Sequence, residues 1–264
     1  MKTVRKRMII GMFIIIGIMV CGCGMKKNNS DESKDITLKS KPEIVLNERQ
    51  KEILEEVGLP TDAEELDSSQ QEAIIAIDEM LTAVEKKYNR SFSYSGYVEQ
   101  GPLESEYLMA YPSDGNPRTD SFEVRKTDNG YEDDYINVAL HKGFNEYITK
   151  MVVEAFHTEQ LKVYSKVTYT TLTETPSDEK MYSGAVSGVN CIYVDGSAVD
   201  IEKMENYIED LKEKLYKSEI DCTCDVIYLK ENEIESVDEF NYSEYTKPEC
   251  YIKREQIIVN VPEK

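Results

Sequence analysis

Apolar positions first keep a helical period at Ile53, Leu54 and Val57. They predict a short helix from about Glu48 to Val57, with Asn47 as N-cap and Gly58 then Pro60 as its stop. A longer stripe follows. Ile74, Ile77, Leu81, Val84 and Tyr88 step by three and four, with charges on the opposite face, so a second helix should run from Ser68 to about Lys87 and end at Asn89. Ser68 with Gln71 has capping-box spacing. The period then changes to two. Phe92, Tyr94 and Val98 lie in one run, Tyr107, Met109 and Tyr111 in a second, Phe122 and Val124 in a third.

Asp128-Asn129-Gly130 is a hairpin signal, because Asn-Gly accepts positive φ. With Asn129-Gly130 as the loop, Lys126 faces Asp133, Arg125 faces Asp134 and Val124 faces Tyr135, which sets two ion pairs and an apolar pair in register; a helix starting near Asp133 is the other reading. A third helix is expected over about His141–Phe156, with Phe144, Ile148, Met151, Val152 and Ala155 inward. A strand follows at 161–170, then a loop at 173–183 with no core face. A strand at 186–195 leads to a helix capped by Asp200, with Ile201, Met204, Ile208, Leu211 and Leu215 on one side. Strands near 222–230 and 249–261 close the chain. This order predicts an α+β fold, antiparallel or mixed sheets with amphipathic helices packed on them. It allows two small related subdomains, at 45–172 and 173–264, or one continuous sheet.

Composition adds an address. The 264 residues are 40% hydrophobic and 31% charged, enough for a packed core, and carry a net charge of −20. That charge argues against a nucleic-acid partner, since phosphate binding needs a basic face. The N-terminus departs from the acidic whole. Lys2, Arg5, Lys6 and Arg7 precede an uncharged apolar run from Met8 to Val20, too short for a bilayer span of ~20 residues. The run ends at Val20-Cys21-Gly22-Cys23.

These residues resemble the lipobox of exported bacterial lipoproteins, and the chain resembles the uncharacterised exported lipoproteins of Gram-positive bacteria. The resemblance implies a signal peptide at 1–22, diacylation of Cys23, and a tether at 23–44 on the extracytoplasmic face of the cell membrane. Gly22 precedes Cys23 as a small residue, whereas Cys21 would follow the bulkier Val20. An ordinary signal peptide, or an anchor extended through Met25, is the other reading. Each buried methylene of a lipid contributes ~0.8 kcal/mol, so two acyl chains anchor firmly. Loss of 1–22 removes four basic residues and no acidic one, and −20 becomes −24. The polar stretch 24–43 would span roughly 25 Å as a flexible linker.

Four further cysteines, Cys191, Cys222, Cys224 and Cys250, suit up to two disulfides in an oxidising compartment. Cys222 and Cys224 share a strand face, so the expected bridges run from each to a flanking strand, one to Cys191 and one to Cys250. Three connectivities stay open. Reduced buried thiols are a second reading and a zinc site a third, although Cys-x-Cys is not the usual knuckle spacing.

Catalytic patterns are sparse. His141 and His157 suit structural roles, and no His-Glu-x-x-His or Gly-x-Ser-x-Gly occurs. Ser177 and Lys180 match Ser-x-x-Lys without its partner motifs, and a pairing of Cys191 with His141 has nothing to bring it together. Glu132, Asp133 and Asp134, and a strand-like row of Glu231, Glu233 and Glu235, could hold calcium weakly or form a solvated surface. The 18 tyrosines suit sheet faces or a ligand groove. The reading is therefore a non-catalytic binding or interaction module. Its partners are a membrane through the lipid and a protein or small-molecule ligand, with no catalytic residue, metal or cofactor. A transporter's solute-binding subunit and an envelope hydrolase are the alternatives.

Overall fold

The computed structural model describes residues 44–101 and 105–262. The expected signal peptide, Cys21, Cys23 and nearly all of the tether lie outside them. The α+β expectation holds: among the described residues, four α-helices pack with two four-stranded sheets.

Helix α1 (Glu48–Glu56) starts with a capping box between Asn47 and Gln50. Arg49 ties it to helix α2 (Ser68–Tyr88) through Asp78 and Glu85, each at 2.7 Å. The capping box of α2 sits one residue earlier than its spacing suggested. Asp67 is the N-cap, paired with Gln70, while Gln71 donates to the carbonyls of Ala63 and Leu66. Aspartate accepts the orphan N–H groups as well as serine does. The helix ends at Asn89 in left-handed conformation.

The first sheet is an antiparallel meander in the order β1 (Phe92–Val98), β2 (Tyr107–Pro112), β3 (Phe122–Thr127), β4 (Gly130–Asp133). Its inner face carries Phe92, Leu108, Ala110, Phe122 and Val124 against Ile74, Ile77, Met80, Leu81 and Val84 of α2. In β2 the aliphatic residues therefore point inward, and Tyr107, Met109 and Tyr111 take the other face. The β3–β4 hairpin is real, but its loop is Asp128-Asn129, and Thr127 faces Gly130. Arg125 faces Glu132 and Val124 faces Asp133, two residues away from the expected register. Positive φ falls on Gly130 (122°) instead of Asn129, so glycine's freedom is used at the last turn position.

The shorter β4 releases the chain early. Helix α3 (Tyr135–Phe156) begins six residues before the expected start. Its first residue, Tyr135, packs edge-on to Tyr88 and Phe92 in the first core. From Leu140 onward the same helix fills the second core. One helix thus belongs to both sheets.

The second sheet has the order β5 (Leu161–Thr170), β6 (Val186–Asp195), β7 (Asp221–Leu229), β8 (Tyr251–Val259). β6 and β7 are parallel and are joined by helix α4 (Met204–Lys217); the other pairs are antiparallel. A parallel pair needs such a crossover. Met204, Ile208, Leu211 and Leu215 face inward, while Ile201 precedes α4 in a 3-10 turn and is exposed. A division at 172/173 would cut β5 from β6, its neighbour from Leu161↔Val194 to Thr170↔Val186. The two sheets also differ in topology, a meander against a mixed sheet with a helical crossover, so they are not repeats of one unit. The 173–183 loop contributes a core residue after all. Tyr182, in a 3-10 turn, packs on Phe144 and Tyr147.

Candidate functional surface

The alternation of β6 and β7 divides the four cysteines. Cys222 and Cys224 point to the inner face, in the core shared with α3 and α4. Cys191 is in register with Asp225 and points to the outer face, beside Tyr193 and Ile227. The sheet itself separates Cys191 from Cys222 and Cys224, which overturns the expected cross-strand bridge to Cys191. All four residues are thiols. Cys250 lies in the approach to β8, with Sγ 3.9 Å from the Glu244 carbonyl.

Cys222 and Cys224 do touch, at 3.7 Å between sulfurs, and Asn190 donates to Cys224 Sγ at 3.4 Å. The hydrogen bond to Cys224, followed by burial, pushes the Cys222 thiol up. Burial first, then the Asp225 carboxylate, does the same to Cys191. Raised thiols are weak nucleophiles. Among the described residues, no three His, Cys, Asp or Glu side chains converge as metal ligands.

The two histidines serve the fold. His141 is half-buried against β5 and hydrogen-bonds the Val167 backbone; desolvation holds its pKa below the ordinary value. One helical turn on, Asn145 accepts the Ser165 N–H at 2.9 Å. The pair covers the outward backbone groups of edge strand β5. His157 is the left-handed C-cap of α3 and stands edge-on to Tyr207. His141 approaches β5 from the α3 side and Cys191 opens to the other face, so they form no dyad. Ser177 and Lys180 lie exposed around a 3-10 turn whose N-cap is Asp178.

The acidic groups separate as well. Asp133 is buried and accepts from Lys87 (2.8 Å) and Tyr88 (2.7 Å), while Asp134 accepts the Glu123 N–H (2.7 Å). Both hold the β3–β4–α3 junction. Glu231, Glu233 and Glu235 fall in a turn and the 3-10 helix Ile234–Ser236, so the strand-like row does not form. The tyrosines mostly cover sheet faces. Residues 230–250 fold back over the upper outer face of the second sheet, where Tyr242 stacks on Tyr164 at 4.7 Å. Tyr193 donates to the Tyr242 carbonyl at 2.6 Å. Arg254 grips Asp225 with two 2.7 Å contacts and fixes β8 to β7 below this cover.

That cover stops halfway. The lower row of the same face reads Lys166, Val189, Thr223, Ile258 across the four strands, with Val189 44% and Ile258 62% exposed. Around the edge of β8 it continues into a groove of about 630 Å³ walled by Glu209, Lys212, Glu213 and Tyr216 of α4 and by Ile258 and Asn260. A smaller cleft of about 340 Å³ lies at the C-terminal ends of β6 and β7. Its Lys162 is bound to the carbonyls of Glu235 and Val237, and its Asp195 to Ser197. The larger groove keeps its apolar groups open. Sequence reasoning passed over it, although two signals point there. The consecutive Ile257 and Ile258 cannot both face inward on a strand, and Tyr216 lies beside the inward stripe of α4.

No family model and no curated protein matches this sequence. A solved structure similar to it is that of a DUF5037 family protein from Ruminococcus gnavus ATCC 29149, at 14% identity, covering 61% of this chain and 78% of that one, with a TM-score of 0.30. Likeness of that degree assigns neither fold nor activity to this chain.

Proposed function

We propose that this chain is a membrane-anchored extracytoplasmic lipoprotein whose body is a non-catalytic binding or interaction module. The observation that carries the reading is the thirteen-residue apolar run from Met8 to Val20, ending at Val20-Cys21-Gly22-Cys23 behind four basic residues. The Cys23 thiol would form a thioether to diacylglycerol, and the polar stretch 24–43 would carry the folded body clear of the headgroups. No described helix is long and apolar enough to cross a membrane.

The binding role is supported by the half-covered face of the second sheet and the groove beside it. The lining of the groove, Glu209, Asp210, Lys212 and Glu213 of α4 beside Tyr216 and Ile258, is a charged wall next to apolar groups, which suits contact with a ligand or partner. A solute-binding subunit is less well supported, because the second sheet has one parallel pair and both depressions are small surface features. Replacement of Cys23 by serine tests the anchor. Cys23→Ser should move the protein from membrane to soluble fractions and abolish incorporation of labelled fatty acid; a variant that keeps its label contradicts the assignment.

A further inference from the structure

Among the described residues, three of the four edge strands carry a device that blocks pairing with another chain. β1 has a bulge between Tyr94 and Gly96. β4 is only four residues long. β5 is covered by α3 through Asn145 and His141. β8 is different along its length. Its first half carries Lys253, Arg254, Glu255 and Gln256, a charged stretch of the protective kind. Its last residues, Ile257 to Val259, and Asn260 and Val261 just beyond them have no charge, and no described strand pairs with their outer side.

Backbone direction agrees with an open edge. The Val261 N–H turns inward to Asp221 Oδ1 at 2.5 Å. By the alternation of an antiparallel strand, the N–H groups of Ile258 and Asn260 point away from β7, into the α4 groove. Tyr216 (53% exposed) and Ile258 flank that row. The groove thus offers backbone hydrogen bonds, apolar contact and a wall of Glu209, Asp210, Glu213 and Lys212, whose carboxylates form exposed, exchangeable pairs with Lys212, Lys214 and Lys217.

We propose that the open half of β8 and the flank of α4 accept an extended, basic peptide segment of a partner protein, added as a fifth strand to the second sheet. The proposal rests on the binding-module reading and names its partner class. In strand addition, main-chain bonds supply affinity and alternate side chains supply specificity. Here aliphatic side chains would rest on Ile258 and Tyr216, and Lys or Arg side chains would reach the α4 carboxylates. Charge selects this occupant over a second copy of the chain. Antiparallel pairing of two β8 strands would bring together two copies of a molecule of net charge −20, which repel each other, whereas a basic segment is attracted.

The test uses the mature protein in detergent. A fluorescent, end-capped hexapeptide of alternating valine and lysine is titrated by anisotropy, beside its valine–glutamate counterpart. Hydrogen exchange is read over 251–261 with and without peptide. Saturable binding of the lysine peptide alone is expected, with exchange slowed at 257–260. Ile258→Lys and Asn260→Pro should each weaken it by about tenfold or more, or ~1.4 kcal/mol, with the melting temperature unchanged. Absence of saturable binding, equal binding of the glutamate peptide, or indifference to both variants would overturn the proposal. Exchange already slow without peptide would also overturn it, giving the edge to the chain's own residues in a monomer or to a second copy in a dimer. The lipid takes no part in these readouts, so failure here leaves the assignment of Cys23 standing.

Discussion

Gly188 shows how little room the second core leaves. A Cβ there would sit 2.6 Å from the Phe144 ring and 2.9 Å from the Lys166 carbonyl. Backbone cannot yield cheaply, so Gly188→Ala should destabilise by about 1–3 kcal/mol, as overpacking does, read as a lower denaturant midpoint; an unchanged midpoint would mean that the ring has space to move. His141 makes a prediction of opposite kind. Its folded pKa is depressed by burial, so below the unfolded value of about 6.5 the unfolded chain binds the extra proton. Stability contributed by the neutral ring is present above that pH and lost as pH falls toward the folded value. Denaturation between pH 7 and pH 5.5 should show a slope that His141→Gln flattens; equal slopes would contradict it. Sequence identified His141 and His157 as structural, but not their tasks, because the edge of β5 that His141 covers exists only once the sheet is ordered.

At the scale of elements, helices were more legible than strand registers. The stripes of α2 and α4 each oppose a single sheet, and their inward residues were read nearly in full. Hairpin register depends on which turn residue takes positive φ. Charge pairing favoured an Asn129-Gly130 loop, whereas the fold places positive φ on Gly130 alone and shifts the register by two. Because the shift is even, each residue keeps its face and only its partners change. It also frees Tyr135 to start α3. Gly130→Val should therefore cost about 1 kcal/mol or more through left-handed strain, and Asn129→Val clearly less. Thermal melts of the two variants decide it, and the reverse order would restore the first register. Tyr182 escaped the pattern because an isolated aromatic in a polar loop has no period to reveal it. The β8–α4 groove escaped for a related reason: it joins two elements some forty residues apart, and its meaning lies in which edge is left uncovered.

Over the whole molecule, α3 joins the two cores, so the sheets should not melt as independent bodies. The thiols of Cys191, Cys222, Cys224 and Cys250 add no covalent staple. Stability then rests on packing, and the molecule should tolerate reductant without loss of melting temperature. The even count of cysteines pointed to disulfides because compartment alone cannot show which side of a sheet each sulfur occupies. In the proposed reading, location and function meet at Cys23, whose lipid would tie an acidic body to a membrane surface and leave the open half of the second sheet to solvent. The most direct measurement is the intact mass of protein extracted in detergent, alkylated under denaturing conditions without reductant. A mass that begins at Cys23, carries diacylglycerol and shows four alkylated thiols is the predicted result. A mass that keeps residues 1–22, or starts elsewhere without lipid, would contradict the anchored module.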